Sequence, residues 1–278
     1  MKRRDFLGEM ATRSRERVRL ARARESEAAL QSRALAAPSP PPLSLDDFDV
    51  IAELKLRSPA VGELQALSFD KVARISAYAR GGACAVSVLT EPSEFHGELA
   101  DLSEAAATLH DFDVPAMRKD FLTDPYQLLE ARAAGAGGAL VIVTMLEDAT
   151  VAELLACARE LGLFVLLEGF DSRDLERIDR LTEHADPTMV LAGINCRDLR
   201  NLQVDFARFA AVAAALPGRL RCVAESGIAS REDVRVVAAQ GYRLALIGST
   251  LMTSGTPETT LRDLIATGRA SSAARVIT

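Results

Sequence analysis

Eight short apolar runs recur along this chain, and each is followed by a stretch with helical periodicity. The runs start 24 to 34 residues apart and span residues 50–55, 84–90, 114–119, 139–145, 164–168, 190–195, 220–225 and 244–248. The clearest helical patterns span residues 70–80, 125–134, 151–161, 206–216 and 231–240. Alternating strands and helices predict parallel strands joined by right-handed crossovers, and eight such units close a barrel. We therefore predict an α/β fold, a (β/α)8 barrel of the TIM-barrel type.

The competing fold for this pattern is an open, doubly wound sheet with helices on both faces. Such a sheet normally carries a glycine-rich turn directly after its first strand. Here the first run ends in Glu53-Leu54-Lys55, and no such turn follows. The closed barrel is the better interpretation, and a chain of 278 residues matches the roughly 250 residues of a plain barrel plus an extension.

A different kind of segment precedes the first apolar run. Residues 1–36 are rich in Ala, Arg, Glu and Leu, so we predict a helix, and the basic residues in 2–24 fit a solvated amphipathic face. Residues 37–43 are dominated by proline and predict an extended linker. We expect residues 1–46 to form a helical extension with its linker, and residues 47–278 to form the barrel catalytic domain.

Composition and charge exclude several classes of protein. A net charge of −6 and a pI of about 5.3 do not fit a general nucleic-acid binder. The four cysteines have no zinc-site spacing, and the three histidines fall away from the strand ends, so we predict no metal. We expect the cysteines to be free thiols in a reducing compartment. No apolar run reaches the roughly 18 residues of a membrane helix, and no signal peptide is evident. We expect a cytoplasmic monomer or weak homodimer.

Charged residues end several predicted strands, at the face where barrel enzymes place their active sites. Glu53 and Lys55 are two residues apart and share one face of the first strand, either as catalytic groups or as a structural ion pair. Lys119 ends the third strand and is equally open between a catalytic and a salt-bridge role. Glu168 ends an apolar fifth strand, where desolvation raises a carboxyl pKa and favours a general acid or base.

Polar and small residues follow the last three strands. After the sixth strand, the amide of Asn195 can fix a hydroxyl or carbonyl, and Arg197 can hold a carboxylate, although a loop with an Arg–Asp pair is the structural alternative. Small-residue turns follow strands seven and eight, and they contain Ser226, Gly227, Gly248 and Ser249. Barrels often bind phosphate at such turns through backbone N–H groups, so we predict a phosphorylated small-molecule substrate.

Seven stretches of the chain resemble the indole-3-glycerol phosphate synthase family, which are TIM-barrel enzymes of tryptophan biosynthesis. The stretches are IAELKLRSP, SVLTEPSEFHG, RKDFLTDPYQLLEARAAGA, LLEGF, GINCRDL, AESGI and IGSTLM. They occur in family order and spacing, over roughly residues 47–252. The resemblance implies a carboxy-lyase that closes the ring of 1-(o-carboxyphenylamino)-1-deoxyribulose 5-phosphate, releases carbon dioxide and water, and forms indole-3-glycerol phosphate. It implies no cofactor.

The resemblance also implies a role for each matched residue. Lys119 matches the general acid that protonates the ketone oxygen, and Glu168 matches the carboxylate that assists dehydration and proton removal. Glu53 and Lys55 match the strand-one pair, with Lys55 near the substrate's carboxylate or phosphate. The implied positioning and binding residues are Asn195 and Arg197, Ser58 near the anthranilate carboxylate, Phe95, Phe121 and Leu199 as apolar walls, and Ser226, Gly227, Gly248 and Ser249 as the phosphate cradle.

Four stretches depart from the family pattern, and in one of them Gly169-Phe170 follows the fifth strand where Val-His is frequent. Ala60 and Val61 stand where members usually have Ser and Lys, in the loop after the first strand. Glu98 stands where Ser is frequent, and Cys196 occupies the middle of the usual NNR. These departures leave open a paralogue of secondary metabolism that acts on a modified aryl substrate.

Two further alternatives remain at this point. Another barrel enzyme is possible: a phosphoribosylanthranilate isomerase would want a Cys where Lys55 stands, whereas a Schiff-base aldolase could use Lys119 or Lys55. A non-catalytic phosphometabolite-binding protein is the alternative from another class. The set of charged strand ends argues against a pure binder.

Overall fold

Eight parallel strands close into a barrel in the computed structural model, which describes residues 5–58, 62–63, 69–198 and 203–276. Each strand pairs with its neighbours in the sequence, and the last pairs with the first. The strands are β1 (Asp49–Leu54), β2 (Ala85–Leu89), β3 (Ala116–Lys119), β4 (Gly138–Ile142), β5 (Phe164–Gly169), β6 (Val190–Asn195), β7 (Arg221–Glu225) and β8 (Leu244–Ile247). The predicted (β/α)8 barrel is confirmed.

Helices surround the barrel and precede it. They are α1 (Phe6–Arg24), α2 (Glu27–Ala36), α3 (Lys71–Arg80), α4 (Pro92–Phe95), α5 (Leu99–His110), α6 (Tyr126–Ala133), α7 (Asp148–Glu160), α8 (Ser172–Leu181), α9 (Ala207–Val212), α10 (Arg231–Gln240), α11 (Ser249–Thr253) and α12 (Pro257–Val276). A short antiparallel hairpin, Arg57–Ser58 with Gly62–Glu63, lies in the loop after β1. None of the described helices combines the length and apolar character that crossing a bilayer requires.

Three predicted elements differ from the structure. The single N-terminal helix is two helices, because Ser26 is extended (φ −66°, ψ 151°) and its hydroxyl accepts a hydrogen bond from the backbone N–H of Ala29 at 3.3 Å, capping α2. The fourth apolar run is a strand only to Ile142, and Val143–Met145 forms a 3-10 turn. The helix predicted at residues 206–216 also ends early, and Ala213–Ala215 is 3-10. Apolar character alone does not distinguish these conformations.

Side chains alternate between two cores along each strand. One set fills the barrel interior and includes Ile51, Met117 and Leu166, all fully buried. The other set, which includes Val50 and Val141, packs beneath the surrounding helices. The interior is therefore closed by apolar layers, and the charged residues that end β1, β3 and β5 lie above them at the C-terminal face.

Helix α1 is fastened to this C-terminal face. Arg17 of α1 forms two hydrogen bonds with the buried carboxylate of Asp120, at 2.9 and 2.6 Å. At the start of the same helix, the ring of Phe6 meets that of Phe121 edge-on, with centroids 5.8 Å apart. The N-terminal extension thus contributes directly to the wall of the barrel mouth.

Candidate active site

A cavity of about 330 Å³ opens at the C-terminal ends of the strands, a size typical of small-molecule sites. Twelve of the fourteen predicted site residues line it: Glu53, Lys55, Phe95, Lys119, Phe121, Glu168, Asn195, Arg197, Ser226, Gly227, Gly248 and Ser249. The predicted Leu199 lies outside the described residues. Ser58 belongs to the hairpin after β1, and its side chain is outside the described part of the chain.

Lys119 is the centre of the charged floor. Its Nζ lies 3.2 Å from Oε2 of Glu168 and 3.6 Å from Oε2 of Glu225. Burial lowers the pKa of Lys119, but the surrounding charges of Glu168, Glu225 and Glu53 outweigh burial and raise that pKa above its ordinary value. The side chain is therefore a cation surrounded by acceptors, and it points to the cavity from the strand face that it shares with Met117.

Glu53 and Lys55 form a second ion pair, with 2.6 Å between Oε1 and Nζ. Burial raises the pKa of Glu53, but the charges of Lys55 and Lys119 lower it by more, so the pKa is below the ordinary value. Glu53 is only 4% exposed, and its carboxylate remains ionised. The pair therefore places a negative and a positive charge side by side at the C-terminal end of β1. Both side chains border the cavity.

Asn195 orients Glu168. Its Nδ2 donates to Oε1 of Glu168 at 3.2 Å, and its Oδ1 accepts the backbone N–H of Arg197 at 2.9 Å. With Lys119 on the other carboxylate oxygen, Glu168 is held from two sides. A carboxylate fixed in this way can accept a proton without first rearranging.

An aromatic wall faces the charged floor. The rings of Phe95 and Phe121 lie 6.3 Å apart at 40°, and Phe6 completes the wall from α1. Leu89 and Ile142 add aliphatic surface. Phe6 is absent from the sequence-based site because nothing local to α1 shows where that helix docks.

Two tight turns, after β7 and β8, form the small-residue rim of the cavity. Ser226 and Gly227 both have positive φ, 69° and 72°, and a Cβ at Gly227 would lie 2.6 Å from Val204 Cγ1. Positive φ at a residue other than glycine marks a turn that its surroundings hold in place. The hydroxyl of Thr250 donates to the carbonyl of Ile228 at 3.2 Å and joins the two turns.

Glu225 is a site residue that the sequence interpretation did not include. It ends β7, is 1% exposed, and lines the cavity beside Lys119. Burial and the neighbouring charge of Glu168 raise its pKa well above the ordinary value. Its signal in the sequence was the same as that of Glu168, a single Glu that ends an apolar strand.

The structure shows what Cys196 and Glu98, two of the departures from the family pattern, contact. The Cys196 thiol is buried and donates to the carbonyl of Ser226 at 3.3 Å, so it supports the rim turn from behind. Glu98 caps α5, where Asp101 accepts its backbone N–H at 3.0 Å. Neither residue borders the cavity. Ala60 and Val61 lie outside the described residues.

Comparison with solved structures supports the fold. A 3-hexulose-6-phosphate synthase from Salmonella typhimurium aligns with a TM-score of 0.60 at 13% identity, covering 81% of this chain and 100% of the other. A thiamine phosphate pyrophosphorylase from Pyrococcus furiosus aligns with a TM-score of 0.57 at 12% identity, covering 81% and 97%. At these identities the likeness concerns the barrel alone.

Comparison with sequences is more specific. The family model for indole-3-glycerol phosphate synthase matches residues 8–264. The indole-3-glycerol phosphate synthase of Paenarthrobacter aurescens (strain TC1) is 39% identical over 242 residues, which cover 87% of this chain and 85% of that protein. The one from Micrococcus luteus is 42% identical over 213 residues, covering 77% and 76%. Because these matches extend over most of its length, the chain belongs to the indole-3-glycerol phosphate synthase family.

Proposed function

We propose that this cavity converts 1-(o-carboxyphenylamino)-1-deoxyribulose 5-phosphate into indole-3-glycerol phosphate, with Lys119 and Glu168 carrying the proton transfers. The chain is an enzyme of its family, a carboxy-lyase of tryptophan biosynthesis. One observation carries the assignment of roles: the Lys119 ammonium lies 3.2 Å from Glu168 in a cavity that is also lined by aromatic side chains and by small-residue turns.

The cavity offers a matching surface to each end of this substrate. Its aryl ring packs against Phe95 and Phe121, and its phosphate is held at the turns that contain Gly227 and Gly248. The ketone then lies between these ends, above Lys119. Holding both ends preorganises the ring carbon against the ketone, which turns an entropically unfavourable closure into a local step.

Ring closure needs an acid at the ketone oxygen. Lys119 protonates that oxygen as the ring carbon attacks the ketone carbon. The carboxylates around the lysine keep its side chain protonated until this step. The ring carbon that made the attack then loses its carboxyl group as carbon dioxide, and the electron pair of the broken bond restores the aromatic ring. Lys55 is the cation nearest the β1 mouth that can hold the carboxylate before it leaves.

Dehydration completes the reaction. The hydroxyl formed from the ketone takes up one further proton from the medium and leaves as water, and Glu168 accepts the proton whose loss gives the indole double bond. Asn195 keeps the Glu168 carboxylate oriented through the bond to Oε1. Substrate and product differ by one carbon dioxide and one water, so the sequence of steps is redox-neutral.

A direct turnover assay tests this proposal. The chain contains no Trp, so indole fluorescence from the product is not obscured by the protein. Incubation with the carboxyphenylamino sugar phosphate should give an indole emission and one equivalent of carbon dioxide. Binding of the substrate without either signal would refute the catalytic proposal and favour a binding protein. Running ring-substituted analogues in the same assay measures selectivity for the aryl group.

The proposal extends to the setting of the enzyme. We place it in the cytoplasm, acting on a small phosphorylated molecule as a monomer or weak homodimer and without a nucleic-acid partner. The four cysteines are free, which suits a reducing compartment. Sedimentation of the purified protein tests the oligomeric state, and a stable tetramer or larger assembly would contradict it.

A further inference from the structure

The guanidinium group of Arg74 connects two loops of the barrel mouth, although Arg74 itself does not border the cavity. It belongs to α3, the first helix after β1. Its Nη1 donates to the carbonyl of Leu251 at 2.8 Å and to that of Ser254 at 2.9 Å. These carbonyls lie at the C-terminal end of α11, where helix carbonyls have no partner within the helix.

The opposite end of α11 is part of the small-residue rim. Gly248 and Ser249 border the cavity, and the Gly248 carbonyl accepts the backbone N–H of Met252 at 2.9 Å. The Thr253 hydroxyl donates to the Ser249 carbonyl at 3.0 Å. Because the element is only five residues long, a fixed C-terminal end also fixes the position of the rim.

Arg74 makes a second contact, with the loop that follows β1. The guanidinium carbon lies 5.7 Å from the centroid of the Phe69 ring, within the range of a cation–π contact. Phe69 is the last loop residue but one before α3, and Lys55 opens the same loop at the cavity. One side chain therefore contacts both the end of the β1 loop and the back of the rim.

We propose that Arg74 is a positioning residue that sets the phosphate affinity of the rim by fixing α11 against α3. This role rests on the phosphate-binding part of the proposed function, but not on the chemical step. The Arg74 side chain contacts α11 carbonyls rather than the cavity, so its loss should weaken phosphate binding and leave the proton-transferring groups in place.

The test compares Arg74→Gln with Arg80→Gln, a control on the same helix. Arg80 forms an ion pair with Glu258 and has a half-exposed side chain away from the cavity. Titration calorimetry with inorganic phosphate should show a dissociation constant about five- to tenfold higher for Arg74→Gln and unchanged for Arg80→Gln. Steady-state kinetics should show a similar rise in KM with kcat within twofold.

A second variant covers the case in which Arg74→Gln does not fold. Arg74→Lys keeps the charge but loses the flat face on Phe69 and the guanidinium group whose Nη1 donates to both carbonyls, and we expect about threefold weaker phosphate binding. Phosphate affinity within twofold of the wild type in whichever variants fold overturns the proposal. Wild-type protein that binds no phosphate also overturns it, whereas phosphate binding without turnover overturns only the proposed reaction.

Discussion

The carboxyl group of Glu225 lies 3.6 Å from the ammonium group of Lys119, and neither of its oxygens has a hydrogen-bond partner among the described residues. Burial and the charge of Glu168 raise the pKa of Glu225 well above the ordinary value. Glu225 therefore retains a proton at pH values where an exposed glutamate has lost it.

Glu225→Gln is expected to change the pH dependence of stability. The pKa of Glu225 is raised in the folded state. The wild type therefore has its full free energy of unfolding below the pKa of this group in the unfolded chain, and part of that free energy is lost as pH rises through the folded-state pKa of Glu225. The amide that Glu225→Gln introduces cannot ionise. As pH rises, the free energy of unfolding of the variant should therefore increase relative to that of the wild type, by about 1.4 kcal/mol for each unit by which the pKa is shifted. Urea denaturation at pH 4, 6 and 8 measures this gain.

Glu232→Gln is the control for that experiment, since Glu232 is a largely exposed carboxylate on α10. Its stability should follow the wild type at every pH. A difference between Glu225→Gln and the wild type that stays constant from pH 4 to pH 8 would show that Glu225 has no raised pKa.

The comparison of Glu168 and Glu225 shows how far sequence reasoning could go. Both end apolar strands, and the strand-end rule that found Glu168 applies equally to Glu225. The adjacent Ser226-Gly227 turn drew attention to phosphate binding instead. The strand register of the structure shows the role of Glu225 that the sequence did not. Glu225 is paired across β6 and β7 with Asn195, the residue that orients Glu168.

Long-range packing limits prediction more severely than strand identity does. All eight strands were found from local apolar runs, because a barrel strand buries both faces. Phe6 and Phe121 are more than a hundred residues apart, and their contact depends on how α1 docks across the mouth. The same holds for Arg74, whose acceptors are carbonyls of α11 rather than side chains with a recognisable pattern.

Lys119→Ala and Glu168→Gln should each lower kcat by about 100-fold or more, the usual contribution of a positioned acid or base. Lys119 supplies the proton to the ketone, and Glu168 accepts one during dehydration. Lys71→Ala is the matched control, because Lys71 also pairs with a carboxylate, Asp101, at 2.6 Å but is remote from the cavity. Steady-state turnover assays with the folded variants measure kcat. A kcat near the wild-type value in either site variant removes that residue from the mechanism.

Gly248→Ala should damage the site through steric contact. A Cβ at this position would lie 2.9 Å from Lys55 Nζ and closer still to the Glu53 carboxylate, so the ion pair must move. Displacing a positioned group by about 1 Å can cost about 100-fold in rate, and we expect kcat/KM to fall by about 10- to 100-fold. The control is Gly255→Ala, where an added Cβ meets no atom within 4 Å. Equal kcat/KM in the two variants would contradict the close contact.

Arg17→Gln should loosen the attachment of α1 and weaken the aromatic wall. The side chain of Arg17 is 28% exposed and bonds the fully buried Asp120 carboxylate twice, so its loss should lower the free energy of unfolding by about 2 kcal/mol. Asp120 keeps its bonds to Thr90 and to the backbone N–H of Phe121, which limits the loss.

The control for Arg17 is Arg19→Gln on the same helix. Arg19 pairs with Glu16 through side chains that are 68% and 54% exposed, and exposed pairs of this kind add little to stability. Urea denaturation should separate the two variants. KM for the aryl substrate should rise severalfold only in Arg17→Gln, because Phe6 enters the cavity wall from the same helix. If both variants unfold at the wild-type urea concentration with unchanged KM, the Arg17–Asp120 pair does not hold α1 over the site.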